Sequence, residues 1–207
     1  VRGEGCGVLI LTTLGEAQRR SWPVLARVRG SAIGHDGAAA SMTVPNGKAQ
    51  ERVLQAALAD AGMSAPDISF LETHGTGTAL GDPIELAAIS RVYGARDVPL
   101  VLGSIKSSIG HLEAAAGVAS VIHVVMAMQQ QMLPPTIDHG QRSTRWPPAL
   151  EATLPGTPVP WEGDVCAGVS AFGLSGTNAH VILGSPPRGA VVTWEPPNCS
   201  VADPPRH

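Results

Sequence analysis

The chain has 207 residues, a net charge of −3 and a pI near 6.2, and its 14 lysines and arginines are scattered along the sequence. This length is typical of one domain with a tail, and a chain without a basic cluster is not expected to bind nucleic acid. No stretch reaches the roughly 18 unbroken apolar residues of a membrane-spanning helix, so no membrane partner is expected.

The core is expected to be aliphatic, because 43% of the residues are hydrophobic and only 3% are aromatic. The three cysteines, Cys6, Cys166 and Cys199, lie far apart and form no CxxC pair. This spacing favours neither a zinc site nor a disulfide framework and is typical of a reducing cytosol. A cytoplasmic location is therefore expected.

The N-terminal segment is predicted to contain two strands. Cys6–Leu14 is a continuous apolar run, typical of a strand covered on both faces, and the glycines Gly5 and Gly7 permit close backbone approach. Glu16–Arg20 predicts a short helical turn, and Pro23–Ile33 alternates like a second strand. We expect the two strands to pair.

Two helices with clear start signals follow a loop over residues 34–46. Asn46 is predicted to cap a helix over Lys48–Ala61, and Gly62 to end it. The second helix is predicted to start at Asp82 as the N-cap, with a proline in the first turn and Glu85 three residues on, and to run to about Tyr93.

Short apolar strands are predicted at Ile68–Leu71 and Val98–Leu102. After the second strand, a loop over Gly103–Gly110 leads to a long helix from about Leu112 to Met132, which Pro134-Pro135 ends.

The remaining chain is predicted to hold a surface segment, Thr136–Glu162, and then two strands, Val165–Ala171 and His180–Leu183, around the turn 172–178. Residues 185–207 are rich in proline and predict a linker or disordered tail. Strands that alternate with helices predict an α/β fold, a mostly parallel mixed sheet with helices on both faces.

Two predicted strand-to-helix corners each carry one histidine. His74 follows Ile68–Leu71 and His111 follows Val98–Leu102, each within a loop rich in Gly, Ser or Thr. In open α/β sheets, ligands bind at the carboxyl ends of the strands. The two histidines therefore predict one shared site.

A lone loop histidine such as His74 is more often structural, but its glycines leave room for a ligand, and Thr76 and Thr78 offer hydroxyls to an amide-bearing chain. A neutral imidazole there can stabilise a carbonyl that develops negative charge. Lys106, five residues before His111, is either a solvated loop lysine or a charge that keeps the imidazole neutral.

A histidine-based metal site is the alternative for these corners. Glu72 and Asp82 are acidic neighbours, but zinc takes three or four protein ligands and neither loop adds a nearby Cys or second His, so no metal is expected. His180 is interpreted as structural. The other histidines, for which the sequence shows no supporting constellation, are His35, His123, His139 and His207.

Three segments, taken together and in this order, resemble the β-ketoacyl synthase family. They are ETHGTGT at 72–78 with Gly81-Asp82-Pro83, KSSIGH at 106–111, and FGLSGTNAH at 172–180. The residues of these motifs are most similar to those of ketosynthase domains of modular type I polyketide synthases. The resemblance covers about residues 1–184 and implies the C-terminal lobe of a thiolase-like fold.

The resemblance implies an acyltransferase activity, the decarboxylative Claisen condensation of an acyl thioester with a malonyl-type extender on acyl carrier protein, in polyketide or fatty acid biosynthesis. His74 and His111 match the two site histidines, and Lys106 matches the lysine that supports them. Thr76 and Thr78 match hydroxyls that contact the phosphopantetheine arm.

The resemblance also implies a gate in the turn over residues 172–178. Phe172 begins this turn, and Leu174 falls where the family has a gating residue whose backbone N–H contributes to the oxyanion hole. At position 174, where this chain has Leu, many related sequences carry an aromatic residue or Ile. At position 108, where this chain has Ser, related sequences often carry asparagine. No cofactor is expected on this chain, since the substrate rides on the phosphopantetheine of the carrier protein.

The family nucleophile is a cysteine in a TACSSS-like turn, and none of the three cysteines stands in such a turn. The chain is therefore expected to be the C-terminal half alone, inactive by itself, with acyl carrier protein and an N-terminal lobe as partners and a homodimer as the complete enzyme. The alternative is a catalytically inactive, truncated lobe that binds carrier protein or a partner lobe.

Overall fold

The structure is a computed structural model that describes residues 1–37, 44–94, 96–137 and 146–187. The helices are α1 (Leu14–Arg19), α2 (Gly47–Ala61), α3 (Gly81–Tyr93), α4 (Lys106–Ile109) and α5 (Ala116–Gln130). The strands are β1 (Arg27–His35), β2 (Phe70–Glu72), β3 (Leu100–Gly103), β4 (Met132–Leu133), β5 (Ala152–Thr153), β6 (Val159–Pro160), β7 (Cys166–Phe172) and β8 (Thr177–Gly184). Two 3₁₀ turns lie at Ala65–Asp67 and Glu113–Ala115.

Six of these strands form one mixed sheet in the order β1-β8-β7-β2-β3-β5. Strands β7, β2, β3 and β5 are parallel neighbours, whereas β1 and β8 add an antiparallel edge through the β7–β8 hairpin. β4 and β6 form a separate two-stranded ribbon. This confirms the α/β fold with a mostly parallel mixed sheet.

Helices cover both faces of the sheet, as predicted. In β2, Leu71 packs into a cluster with Leu54 of α2 and Ile89 of α3. Its neighbour Phe70 points the opposite way, into a cluster with Val124 of α5. Successive strand residues face opposite sides, so one short apolar strand serves two cores.

The start of α2 follows its sequence signals and that of α3 does not. The Asn46 side chain accepts the N–H groups of Lys48 and Ala49, and Gly62 adopts the left-handed conformation (φ 62°) that ends α2. The prediction of Asp82 as N-cap is wrong: α3 begins at Gly81, because the Thr78 hydroxyl already accepts the Gly81 N–H at 3.0 Å.

The predicted strand over Cys6–Leu14 and its pairing are wrong. Residues 6–13 belong to neither sheet, and β1 pairs with β8. The apolar run predicted burial, yet Val8 and Ile10 are 80% and 93% exposed. The segment instead lies along the start of α5, where a Cβ on Gly7 would meet Val118 at 2.9 Å.

Three further predictions need correction. The loop predicted over 103–110 contains the short helix α4. α5 ends at Gln130, and the cap residue Gln131 takes the left-handed conformation before the prolines, because β4 starts at once. The surface segment predicted over 136–162 buries Leu150 and Trp161.

The loop predicted over 34–46 lies partly, and the tail predicted over 185–207 almost wholly, outside the described residues. Within the described ranges, no helix is long and apolar enough to cross a membrane.

Candidate active site

Strand polarity brings the predicted site residues together. Glu72 at the end of β2 lies in register with Gly103 at the end of β3 and with Val169 near the end of β7. Because these strands are parallel, the segments that leave them emerge at the same edge of the sheet. Those segments carry His74, the turn with Lys106 and His111, and Phe172.

The rings of His74 and His111 lie edge to face, with centroids 5.6 Å apart. The Phe172 ring also contacts His74, with centroids 5.5 Å apart, and the Phe172 backbone N–H donates to His74 Nδ1 at 3.4 Å. An Nδ1 that accepts leaves the proton of a neutral imidazole on Nε2. His74 can therefore donate a hydrogen bond from Nε2.

His111 has the same arrangement, although its partner is local. The backbone N–H of Glu113 donates to His111 Nδ1 at 2.9 Å, and Glu113 has φ 51°, a left-handed conformation uncommon for a residue with a side chain. His111 thus also presents Nε2–H. Two neutral imidazoles with their Nδ1 atoms occupied can offer two N–H donors to one acceptor.

Burial and a shared cation keep both imidazoles neutral. Burial first, then the Lys106 ammonium and then His111, lower the pKa of His74 to about 3. Burial and Lys106 also lower the pKa of His111, against the opposite effect of Glu113. Of the two interpretations left open for Lys106, these directions favour a charge that keeps the histidines neutral over a solvated loop lysine.

Two buried carboxylates hold the loops in place. Both oxygens of Glu85 accept backbone N–H groups, from His74 at 2.7 Å and from Gly75 at 3.0 Å. Burial raises the pKa of Glu85 to about 7, and these two N–H groups oppose the rise. Glu72, on β2, accepts the backbone N–H of Ile105 at 2.7 Å.

The charges of both carboxylates act on Lys106. Burial lowers the pKa of Lys106, whereas the charges of Glu72 and then Glu85 raise it. Sequence reasoning took Glu85 only as part of a helix-start signature and Glu72 only as an acidic neighbour. The Glu85 side chain returns to the His74 loop from one turn inside α3, a contact over 11 positions that this signature does not indicate.

Thr76 and Thr78 lie on the loop that leads into α3. Their hydroxyl oxygens are 3.3 Å apart, and the Asp82 carboxylate accepts the N–H groups of Gly77 and Thr78 at 3.1 and 3.3 Å. Asp82 thus folds the loop back onto the helix start. Thr76 is half-buried and Thr78 is exposed on this loop.

The structure places the two predicted gate residues differently. Phe172 packs against His74, whereas Leu174 is 78% exposed at the tip of the β7–β8 hairpin. Gly176 turns the hairpin with φ 91°. The structure therefore brings His74, His111, Lys106 and Phe172 together and leaves Leu174 towards solvent.

Two histidines outside this group have buried partners. His180 is fully buried between Ser170 Oγ at 3.0 Å and Tyr93 Oη at 3.2 Å, which agrees with a structural role. His123, for which the sequence showed no constellation, has Nδ1 at 2.9 Å from Glu72. In the part of the chain that the structure describes, no three His, Cys, Asp or Glu side chains form a group that could hold a metal ion.

The family is shown by sequence comparison. The profile of the β-ketoacyl synthase C-terminal domain matches residues 25–139, more than half of the chain. The chain therefore belongs to the β-ketoacyl synthase family, in the part that forms its C-terminal domain.

Its curated relatives are polyketide synthases. The spectinabilin polyketide synthase system protein NorA' of Streptomyces orinoci is 52% identical over 87% of this chain, and the match spans 5% of that protein. A type I phenolphthiocerol synthesis polyketide synthase of Mycobacterium marinum is 48% identical over 89% of this chain and 9% of its own length. The chain thus spans a small part of the relatives that it matches.

Solved ketosynthase domains share the fold. An oxazolomycin ketosynthase domain of Streptomyces albus superposes with a TM-score of 0.80 at 35% identity, over 89% of this chain and 33% of that domain. The ketosynthase from module 6 of the bacillaene synthase of Bacillus subtilis gives a TM-score of 0.81 at 34% identity, over 84% and 32%. These neighbours confirm the thiolase-like fold predicted from the motifs.

Proposed function

We propose that residues 1–184 are the C-terminal lobe of a ketosynthase that performs decarboxylative condensation in polyketide synthesis. The carrying observation is that backbone N–H groups occupy the Nδ1 atoms of both His74 and His111, which leaves two Nε2–H donors. These donors suit the thioester carbonyl of a malonyl-type extender, whose oxygen gains charge when carbon dioxide leaves.

In this mechanism the C–C bond to the carboxylate breaks first, carbon dioxide leaves, and the electron pair becomes an enolate that the two Nε2–H groups stabilise. The enolate carbon then attacks the acyl thioester on the nucleophilic cysteine. A new C–C bond forms, the C–S bond breaks, and the cysteine leaves as thiolate. Lys106 keeps both imidazoles neutral, so that each retains one N–H donor and one acceptor.

The nucleophile and the other partners belong to the larger enzyme. We assign the cysteine to an N-terminal lobe, the extender to the phosphopantetheine of acyl carrier protein, and its amides to the hydroxyls of Thr76 and Thr78. Cys6 is exposed on the N-terminal segment and Cys166 is buried in β7, while Cys199 lies outside the described residues. The isolated chain is therefore expected to form no stable acyl thioester, and no resident cofactor is required.

The test is a hybrid ketosynthase in which residues 1–187 replace the matching third of the bacillaene domain, with carbon dioxide release from malonyl-carrier protein as the readout. His74→Gln and His111→Gln place an amide nitrogen near the position of Nε2, whereas His74→Asn and His111→Asn place it near Nδ1. We expect the Asn variants to lose about 10²- to 10³-fold in rate, and the Gln variants to lose less.

Equal losses for Gln and Asn would contradict the donor roles of the histidines. A hybrid that binds carrier protein yet releases no carbon dioxide would favour the alternative, an inactive lobe that binds carrier protein or a partner lobe. The exposed apolar side chains of Val8, Ile10 and Leu11 support a partner lobe under either function.

A further inference from the structure

The carboxylate of Glu72 lies at a junction of three elements. It is fully buried at the end of β2, two residues before His74. Its Oε1 accepts the backbone N–H of Ile105, the residue that precedes Lys106, and lies 3.4 Å from Ser120 Oγ on α5. A buried carboxylate needs such donors, because an unpaired charge in the interior is strongly unfavourable.

His123 closes the other side of this carboxylate. Its Nδ1 lies 2.9 Å from Glu72 Oε2, and it stands one helical turn from Ser120 on the same face of α5. The His123 side chain is 15% exposed and lines two open cavities of about 360 and 410 Å³. A change of side chain at this position therefore has room to be accommodated.

We propose that Glu72 and His123 are positioning residues, which together hold the turn of Lys106 at a fixed distance from the loop of His74. Naming Lys106 and His74 as the groups that are positioned rests on the proposed function. Neither Glu72 nor His123 is assigned contact with substrate.

The physical reason is competition for one negative charge. Glu72 and Lys106 attract each other, since the carboxylate raises the pKa of the lysine. With Ile105, Ser120 and His123 as donors, the carboxylate stays directed at the backbone and at α5. Without the His123 donor, Glu72 Oε2 is more stable when it turns towards Lys106 and accepts a hydrogen bond from its ammonium. The ammonium then moves away from the imidazoles that it keeps neutral.

The experiment uses the 207-residue chain and His123→Leu, with hydrogen exchange of the Ile105 amide and NMR titration of Lys106 and His74. We expect the Ile105 amide to exchange at least about tenfold faster, because its acceptor is no longer fixed. The pKa of Lys106 is expected to rise, as is the pKa of His74, since the ammonium pairs with Glu72 instead.

His123→Asn is the rescue, because its amide nitrogen lies near the position of Nδ1; exchange and both titrations are expected to return towards wild type. Gln129→Leu is the matched control. It removes another donor of α5, which bonds the carbonyl of Leu25 at 2.6 Å, and it is expected to change stability without changing Ile105 exchange or the Lys106 titration.

A folded His123→Leu chain with wild-type Ile105 exchange and Lys106 titration would overturn the proposal, as would equal changes in Gln129→Leu. If His123→Leu does not fold, His123→Asn and His123→Gln decide, because Gln carries its amide nitrogen beyond the position of Nδ1. His123→Asn is expected to show wild-type Ile105 exchange and Lys106 titration, and His123→Gln to show faster exchange and a raised pKa of Lys106. The same exchange and titration in both variants would overturn the proposal. No readout requires turnover, so failure here is separate from failure of the condensation assay.

Discussion

His180 gives the molecule a pH-dependent stability. Burial lowers the pKa of His180 from 6.5 to about 3, so the folded state keeps it neutral while the unfolded chain binds a proton below about pH 6.5. Its contribution is therefore complete above pH 6.5 and is lost as the pH falls towards 3. At about pH 5.5 the loss amounts to about 1 kcal/mol.

The measurement is the free energy of unfolding of wild type and His180→Gln at about pH 7.5 and 5.5. Wild type is expected to lose about 1 kcal/mol more than the variant between these two pH values. Glu85, whose raised pKa acts in the opposite direction over part of this range, is present in both chains and cancels. Parallel curves for the two chains would contradict the prediction.

Sequence reasoning found the residues that local patterns mark and missed those that long-range contacts create. His74 and His111 follow apolar runs in glycine-rich loops, which is a local signal. The partnership of His123 with Glu72 joins residues 51 positions apart, and nothing near His123 in the sequence indicates it. Glu85 lies only 11 positions from His74, but its place in a helix start indicates a capping role and not its contact with the His74 backbone.

At the scale of elements, β1 and α2 touch through a glycine. A Cβ on Gly30 would lie 2.4 Å from Ala61 N and 2.7 Å from Ala57 O. Both are backbone atoms of α2, so the clash could be relieved only by a shift of the helix. We expect Gly30→Ala to destabilise the chain by about 1–3 kcal/mol in chemical denaturation. Gly15→Ala in α1 is the control, because nothing lies within 4 Å of its Cβ.

The control is expected to be neutral or to stabilise the chain by up to about 1 kcal/mol, since alanine is the better helix former. Similar effects of the two substitutions would show that the contact between β1 and α2 is looser than the structure has it.

Helices were easier to predict than the pairing of strands. α2 has a cap and a breaker in its own sequence, whereas α3 lacks the predicted cap but ends just before Gly94, and both helices were placed to within one or two residues. The run Cys6–Leu14 has the composition of a buried strand, but composition does not determine whether a segment pairs with a strand, or with which one. The short helix α4 was missed because four residues with Ser and Gly around them give no periodic signal.

At the scale of the whole molecule, the N-terminal segment makes the chain prone to associate. Val8, Ile10 and Leu11 are 80%, 93% and 75% exposed in one continuous run. Such an apolar patch is rare on a monomeric protein. We expect the 207-residue chain to self-associate in sedimentation velocity, and Ile10→Lys to increase the monomer fraction.

Val98→Lys is the control for that substitution, because Val98 is 70% exposed but stands apart from the N-terminal run. It is expected to leave the distribution of species unchanged. A wild-type chain that sediments as a clean monomer with a sharp two-state melt would count against the prediction, and so would equal effects of the two lysines.

The backbone of His111 is held by residues that lie far earlier in the sequence. His111 N–H donates to Val1 O and Gly3 N–H to His111 O, both at 3.0 Å. A Cβ on Gly3 would collide with the backbone oxygen of Ile109, so a larger residue at this position would displace the pairing. The geometry of a candidate catalytic group therefore depends on a segment that lies outside the motif in which that group stands.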